Sequence, residues 1–259
     1  MSVLRSRRSA AVALSAGGLF LGACGGSDSP LQQTADRLAD IRSGELDFTI
    51  RLVPSGSAGV SVGLRGPFSL SGDKPLPVAR IRFDRRAGQR TQATFISTGK
   101  QAFVATAGRT VRLSDDQASG LRVGEGEATS LEDLGLNIDR WIKDARTTRQ
   151  RDLDRITGTL DASEALGDLA RIAGRDTLGE DEAERLSRTV SGSSIEIRTG
   201  AKDRLLRRLT LSVDLAVPPE LRAKTGGGSG LKVEVDLRLR DINRPVRVDP
   251  PASAPPLTR

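Results

Sequence analysis

The residue in this chain best suited to covalent chemistry is Cys24, its single cysteine, which follows Leu21-Gly22-Ala23. Small side chains before it let the backbone enter a peptidase groove, and the thiol is a nucleophile that can accept a diacylglyceryl group. One cysteine allows no disulfide within the chain, so the fold must be held by its core. The remaining inventory excludes more than it offers. There is no histidine, which removes Ser-His-Asp catalysis and most zinc sites. Gly59-Val60-Ser61-Val62-Gly63 matches the nucleophile-elbow pattern. That motif needs a strand-to-helix turn, and here it lies inside an alternating strand, so the match is read as chance. Gly99-Lys100 lacks the upstream glycine and the following Ser or Thr of a phosphate loop. Asp115-Asp116 and Glu180-Asp181-Glu182 fall at loop or helix-start positions, where acids solvate and cap. No acid pair sits in the apolar setting that glycoside hydrolysis requires. The expectation is a protein with no catalytic residues, no metal ligands and no cofactor.

The N-terminus sets the compartment. Arg5, Arg7 and Arg8 precede an apolar run from Ala10 to Leu21, interrupted by Ser15, Gly17 and Gly18. That run is shorter than the roughly 20 residues that span a bilayer and has the length of a signal-peptide core. The order of charge, apolar run, small residues and cysteine resembles a lipobox. Residues 1–23 therefore read as a lipoprotein signal peptide, and 24–30 as a lipidated tether. The expected product is exported and anchored to the cell membrane on its extracytoplasmic side by lipid on Cys24. Arg7-Arg8 hints at twin-arginine export, but Ser9-Ala10 stands where an apolar pair should follow, so the export route stays open between Sec and twin-arginine. The net charge is +7, of which the three leader arginines carry three, leaving +4. Those charges are interspersed, which implies at most a mild preference for anionic surfaces. With no tyrosine and one tryptophan, stacking platforms are missing and nucleic acid is not an expected partner.

These features must be carried by elements that the hydrophobic period reveals. Leu31, Ala35, Leu38 and Ile41 lie at helical spacing, bounded by Pro30 and Gly44, and predict a helix over 31–43. The period then changes to two. Leu46, Phe48, Ile50 and Leu52 alternate with polar residues, as do Val60, Val62 and Leu64, and then Ala79, Ile81 and Phe83. Weaker strands are expected near 90–98, 101–106 and 109–113. Leu131, Leu134, Leu136, Ile138, Trp141 and Ile142 predict a helix over 131–146. A strand near 151–160 follows. Asp161-Ala-Ser-Glu164 offers an N-cap with an acid three residues on, and a second helix is expected over about 180–190. Ile195 and Ile197, then Leu209 to Val217, then Leu231 to Leu239 give the clearest alternation. The tail after Pro245 is proline-rich. Helices come as inserts between strands, not after each one. This predicts α+β: a single strongly curved antiparallel sheet (half-barrel) of about nine or ten strands, covered by three or four helices. One domain, residues 31–248, precedes a tail at 249–259.

This layout resembles the LolA-like fold, and within it the LppX/LprG (LprA/LprF) family of mycobacterial lipid-carrying lipoproteins. The resemblance rests on Cys24 before a short helix, the strand pair Gly44–Pro54 and Gly59–Leu70, Asp154-Arg-Ile-Thr-Gly-Thr-Leu-Asp161 leading into a helix, Leu205-Leu206-Arg207-Arg208-Leu209 opening a long strand, and Asp241-Ile-Asn-Arg-Pro-Val246 near the end. It departs in one place: the family usually carries a tyrosine or other aromatic in the fifth or sixth strand, and Phe103 stands there instead.

The resemblance implies a non-enzymatic, monomeric carrier. Its sheet and helices would enclose an apolar cavity for the acyl chains of a lipid or glycolipid, carried or presented between membrane layers. Its implied partners are that lipid or glycolipid, the membrane reached through Cys24, and an envelope transporter. The candidate cavity residues are Leu46, Phe48, Ile50, Val60, Val62, Ile81, Phe83, Phe95 and Trp141, of which Trp141 reads more readily as a core anchor. The alternation alone also suits a structural or interaction lipoprotein whose sheet holds a solid core and whose outer face docks an envelope protein. The leader makes its own prediction: Cys24→Ser leaves the chain without lipid and moves it from the membrane to the soluble fraction, read by intact mass and fractionation.

Overall fold

In the computed structural model of the chain, residues 29–70, 74–119, 130–172, 180–222 and 228–255 are described. The leader, Cys24 and the start of the tether lie outside them, as do residues 226–227 of the glycine-rich link.

Among the described residues, eleven strands form one antiparallel sheet. They are β1 (Ser43–Pro54), β2 (Val60–Ser69), β3 (Val78–Ala87), β4 (Gln89–Thr98), β5 (Ala102–Thr106), β6 (Arg109–Arg112), β7 (Ile142–Gln150), β8 (Leu153–Leu160), β9 (Val190–Gly200), β10 (Leu206–Ala216) and β11 (Gly230–Arg240). Their spatial order is β6-β5-β4-β3-β2-β1-β11-β10-β9-β8-β7, so the sheet is open, with β6 and β7 at its edges. Every neighbour is a chain neighbour except at the centre, where β1 pairs β11 over ten residues, from Glu45 opposite Arg240 to Pro54 opposite Leu231.

Among the described residues, five α-helical segments accompany the sheet: α1 (Pro30–Asp36), α2 (Asp115–Ser119), α3 (Ala162–Ile172), α4 (Glu180–Thr189) and the single turn α5 (Pro219–Arg222). Ser29 caps α1, its Oγ accepting from the Gln32 N–H, and Pro30 occupies the first turn, where a missing N–H costs nothing. The α-helix gives way to a 3-10 turn over Arg37–Asp40, so helical structure ends three residues short of the expected boundary. Asp161 caps α3, accepting from the Glu164 N–H at 3.3 Å.

The expected helix over 131–146 is not formed. Residues Glu132–Leu134 make one 3-10 turn, closed by Gly135 in the left-handed region at φ +75°, and Ile142 opens β7. The apolar residues of this segment do enter the core: Leu131, Ile138, Trp141 and Ile142 are all buried. They do so from an irregular plug and not from one helix face. β7 escapes the alternation rule because it is an edge strand, exposed from Lys143 to Gln150 and wet on both faces. It is the eleventh strand, where nine or ten were expected.

One face of the sheet is apolar. Leu31, Leu38 and Ile41 from the N-terminal helical segment, the 131–142 plug, and Ala162 and Ala165 of α3 join its core. These elements pack on the β8–β11 side. The other face is polar except at one end. Val78, Ile96 and Phe103 point to that face in register, yet all three are buried. The C-terminal tail runs along that end. Asn243, itself left-handed at φ +60°, ties it to the start of β1 through three hydrogen bonds: its N–H to Ser43, its Nδ2 to the Asp40 carbonyl, and its Oδ1 from the Arg42 N–H. Twelve residues later the Pro255 carbonyl accepts from the Arg112 N–H of edge strand β6 at 2.9 Å. The proline-rich tail is thus a strap across five strand intervals, about 24 Å at the usual spacing. Truncation after Pro250 is expected to lower stability by about 1–3 kcal/mol and to raise binding of a hydrophobic dye, measured by denaturant unfolding and fluorescence.

Candidate apolar ligand face

The candidate cavity residues of the sheet converge. Phe48 pairs Leu64, Ile50 pairs Val62 and Leu52 pairs Val60 across β1 and β2. Leu64 pairs Phe83, and Ile81 pairs Phe95. Leu46, Phe48, Ile50, Val60, Val62, Ile81, Phe83 and Phe95 therefore share one face. The reason is period two: any residue displaced by an even number from a paired position points the same way.

A single cross-strand row shows how that face is covered. From β3 to β8 it reads Phe83, Leu64, Phe48, Leu237, Leu209, Ile197, Ile156. Ile156 and Ile197 are 0 % exposed, Leu209 2 % and Leu237 8 %. Phe48, Leu64 and Phe83 are only half-buried. Burial falls steadily across a row about 29 Å long. Leu46, Phe48, Ile50, Ile81 and Phe95 pack against the core cluster, and Val60, Val62 and Phe83 continue the face, half-buried. Along this row the apolar face is sealed over β8–β11 and partly open over β1–β3, whereas Phe68, Ala79 and Ser97, on the same face at the Ser69 end of β2–β4, are buried. At its upper rim Leu52 is 38 % exposed.

Trp141 stands apart. It is fully buried, and its indole Nε1 donates to Asp168 Oδ2 at 2.8 Å. The same oxygen accepts from the Asn137 N–H and Nδ2, each at 3.1 Å, and Arg171 pairs with Oδ1. Asp168 of α3 is thereby the clasp that seats the 131–142 plug. Trp141 belongs to the sealed half and does not line the open face. The aspartate lies on no recognisable motif; only its place on the buried side of an amphipathic helix could have signalled it.

Phe103 also faces away from the candidate cavity. It pairs with Ile96, on the opposite side from Phe95, and is buried there. Gly59 to Gly63 enters β2 without any turn to helix, as the alternation requires. Among the described residues no three acids or cysteines cluster as a metal site, and no helix is long and apolar enough to cross a membrane.

Sequence reasoning gave no hint of an open trough of about 750 Å³ on the polar face, spanning β1, β2 and β8–β11. Its charges are paired. Burial alone would push the Asp236 carboxyl up, but Arg208 and Arg238 together outweigh it and hold it below its ordinary range. Glu196 is governed the same way, burial opposed and overcome by Arg155 and Arg198.

No family model and no curated protein matches the chain. A solved structure of a LolA superfamily protein from Nitrosomonas europaea aligns over 83% of this chain and 96% of its own, at 10% identity and a TM-score of 0.23. A superposition that loose leaves the fold to rest on this chain's own topology: an open antiparallel sheet, one apolar face, helical segments packed on part of it. The clasp under that face can be tested directly. Asp168→Ala strands the Trp141 indole and the Asn137 backbone N–H without an acceptor, while Asn137 Nδ2 keeps the Gly135 carbonyl, and is expected to cost about 2–4 kcal/mol, measured by chemical denaturation.

Proposed function

We propose that this protein is a non-enzymatic lipoprotein of the cell envelope, lipid-anchored through Cys24 on the extracytoplasmic side, that holds the acyl chains of a lipid or glycolipid against the open half of its apolar face and carries or presents them between membrane layers. The observation that supports this reading is the burial gradient. A row that is continuous in register and apolar in composition is closed on one half and left half-exposed on the other. An ordinary core would be sealed along the whole row.

The physics suits a flexible chain. Each buried methylene contributes roughly 0.8 kcal/mol, so a long acyl chain lying across β1–β3 gains several kcal/mol even when partly covered. Phe48, Ile50, Val62 and Phe83 offer an apolar wall bordered by Arg85 opposite Val62, which suits an acyl chain whose polar end lies at the rim. The sequence resemblance to the LppX/LprG family supports the same class of ligand. The lipid on Cys24 would keep the carrier beside the membrane that supplies its cargo.

Native mass spectrometry of the chain from Gly25 onward, purified from a bacterial host, with organic extraction in parallel, tests the reading. The expected result is a co-purifying phospholipid or glycolipid, lost in Ile50→Asp or Val62→Asp proteins that retain the wild-type circular dichroism. A clean apo mass that takes up no added lipid would favour an interaction lipoprotein with a solid core.

A further inference from the structure

The polar face carries an order that the linear sequence hides. Following the register from β3 to β8, the residues opposite one another are Arg82, Arg65, Asp47, Arg238, Arg208, Arg198 and Arg155. Six of these seven are arginines, on adjacent strands and about 4.8 Å apart in the pairing direction. Like charges placed directly opposite destabilise a sheet, so the row depends on the acids beside it.

The neighbouring row on the same face, Thr49, Asp236, Thr210, Glu196 and Thr157, supplies counter-charge, but less of it. Asp236 accepts from Arg208 (Nε 3.0 Å, Nη2 2.9 Å) and from Arg238 (Nε 3.3 Å, Nη2 2.8 Å). Glu196 accepts from Arg155 Nε at 2.6 Å and from Arg198 Nε at 2.7 Å. Asp47 holds Arg65 at 2.7 Å. Three acids thus orient five arginines. A guanidinium has five N–H donors, and these contacts use one or two of them on each side chain. The row is held in place with donors to spare.

Arg65, Asp47, Arg238, Arg208 and Arg155 of the row line the trough of about 750 Å³, with Arg51, the acids Glu196, Glu234 and Asp236, and the hydroxyls of Thr49, Thr157 and Thr210; Arg198 reaches it through Glu196. Ser212 Oγ is buried in its wall with no partner among the described residues. No aromatic side chain lines it, which removes the stacking surface that nucleic-acid bases need. What remains is a row of arginines broken once by Asp47, on strands spaced by about the length of one sugar ring and interleaved with hydroxyls and acids. Guanidinium pairs with carboxylate or phosphate in a fork geometry that ammonium cannot reproduce.

We propose that this trough binds a linear glycan bearing about one anionic group per sugar, laid across the strands along the arginine row. The site is on the face opposite the apolar one and does not depend on what that face holds.

Titration of the full-length chain in detergent with polygalacturonate, which carries one carboxylate per ring, tests the proposal. Fully methyl-esterified polymer and duplex DNA are the controls. The expected result is salt-sensitive binding of polygalacturonate, little of either control, and a loss of about tenfold in Arg155→Gln/Arg198→Gln. Glu196→Gln keeps both arginines and removes their shared counter-charge, so it binds more tightly; this arm decides the question if the double variant does not fold. No binding, equal binding of the ester or of DNA, or one affinity for wild type and both variants overturns the proposal.

Discussion

The pairing of β1 with β11 is the constraint on which the rest of the structure depends. All other strand contacts join neighbours in the chain. This one joins residues 43–54 to 230–240, and with them two sheets, β1–β6 and β7–β11, that would otherwise each end in an unpaired strand. Ten residue pairs lie in unbroken register there. Because side chains alternate with a period of two, that single register aligns the apolar rows of both halves and, on the reverse side, the charged rows. A slip of one residue would turn the apolar row of one half toward the charged row of the other. Asn243 and the strap beyond it close the same seam from the outside.

The two faces resolve different physical demands with the same geometry. On the apolar side, area removed from water is what stabilises the fold, and coverage decides where that stabilisation is complete. The plug at 131–142, clasped by Asp168, and the helical segments α1 and α3 seal β8–β11. Over β1–β3 the same kind of row is left half open. On the polar side, orientation matters more than coverage. Acids shared between two arginines fix the guanidinium planes, and the row keeps N–H donors to spare.

Much of this was legible in the sequence, for a definite reason. Leu46 to Leu52, Leu209 to Val217 and Leu231 to Leu239 alternate cleanly because each lies between two partners with one face dry and one wet. The N-cap at Asp161 was legible because capping is local. β7 was not, since an edge strand exposed from Lys143 to Gln150 has no dry face to impose a period. The apolar residues just before it mimicked a helix because a plug that fills a core needs apolar side chains in no particular order, and Gly135 was the one local sign of the break. Eight of the nine candidate cavity residues share a face, as alternation requires, whereas Trp141 is seated by a partner 27 residues away. The arginine row was illegible in principle. Its arginines come from six strands scattered between positions 65 and 238, and interspersed charges in a chain become aligned charges only through register.

The central seam also sets a waiting time. A chain made from its N-terminus completes β1 long before β11 exists. At about 5–20 residues per second, the first strand waits roughly 10 to 40 seconds for the last, with one backbone edge unpaired and the aromatic ring of Phe48 on its apolar side. During that interval the N-terminal meander can form from local hairpins alone, but its inner edge is the one that will later bind β11. The protein is therefore born with its most adhesive edge in the place where its final strand must arrive, and whatever shelters that edge governs how much of the chain reaches the folded state.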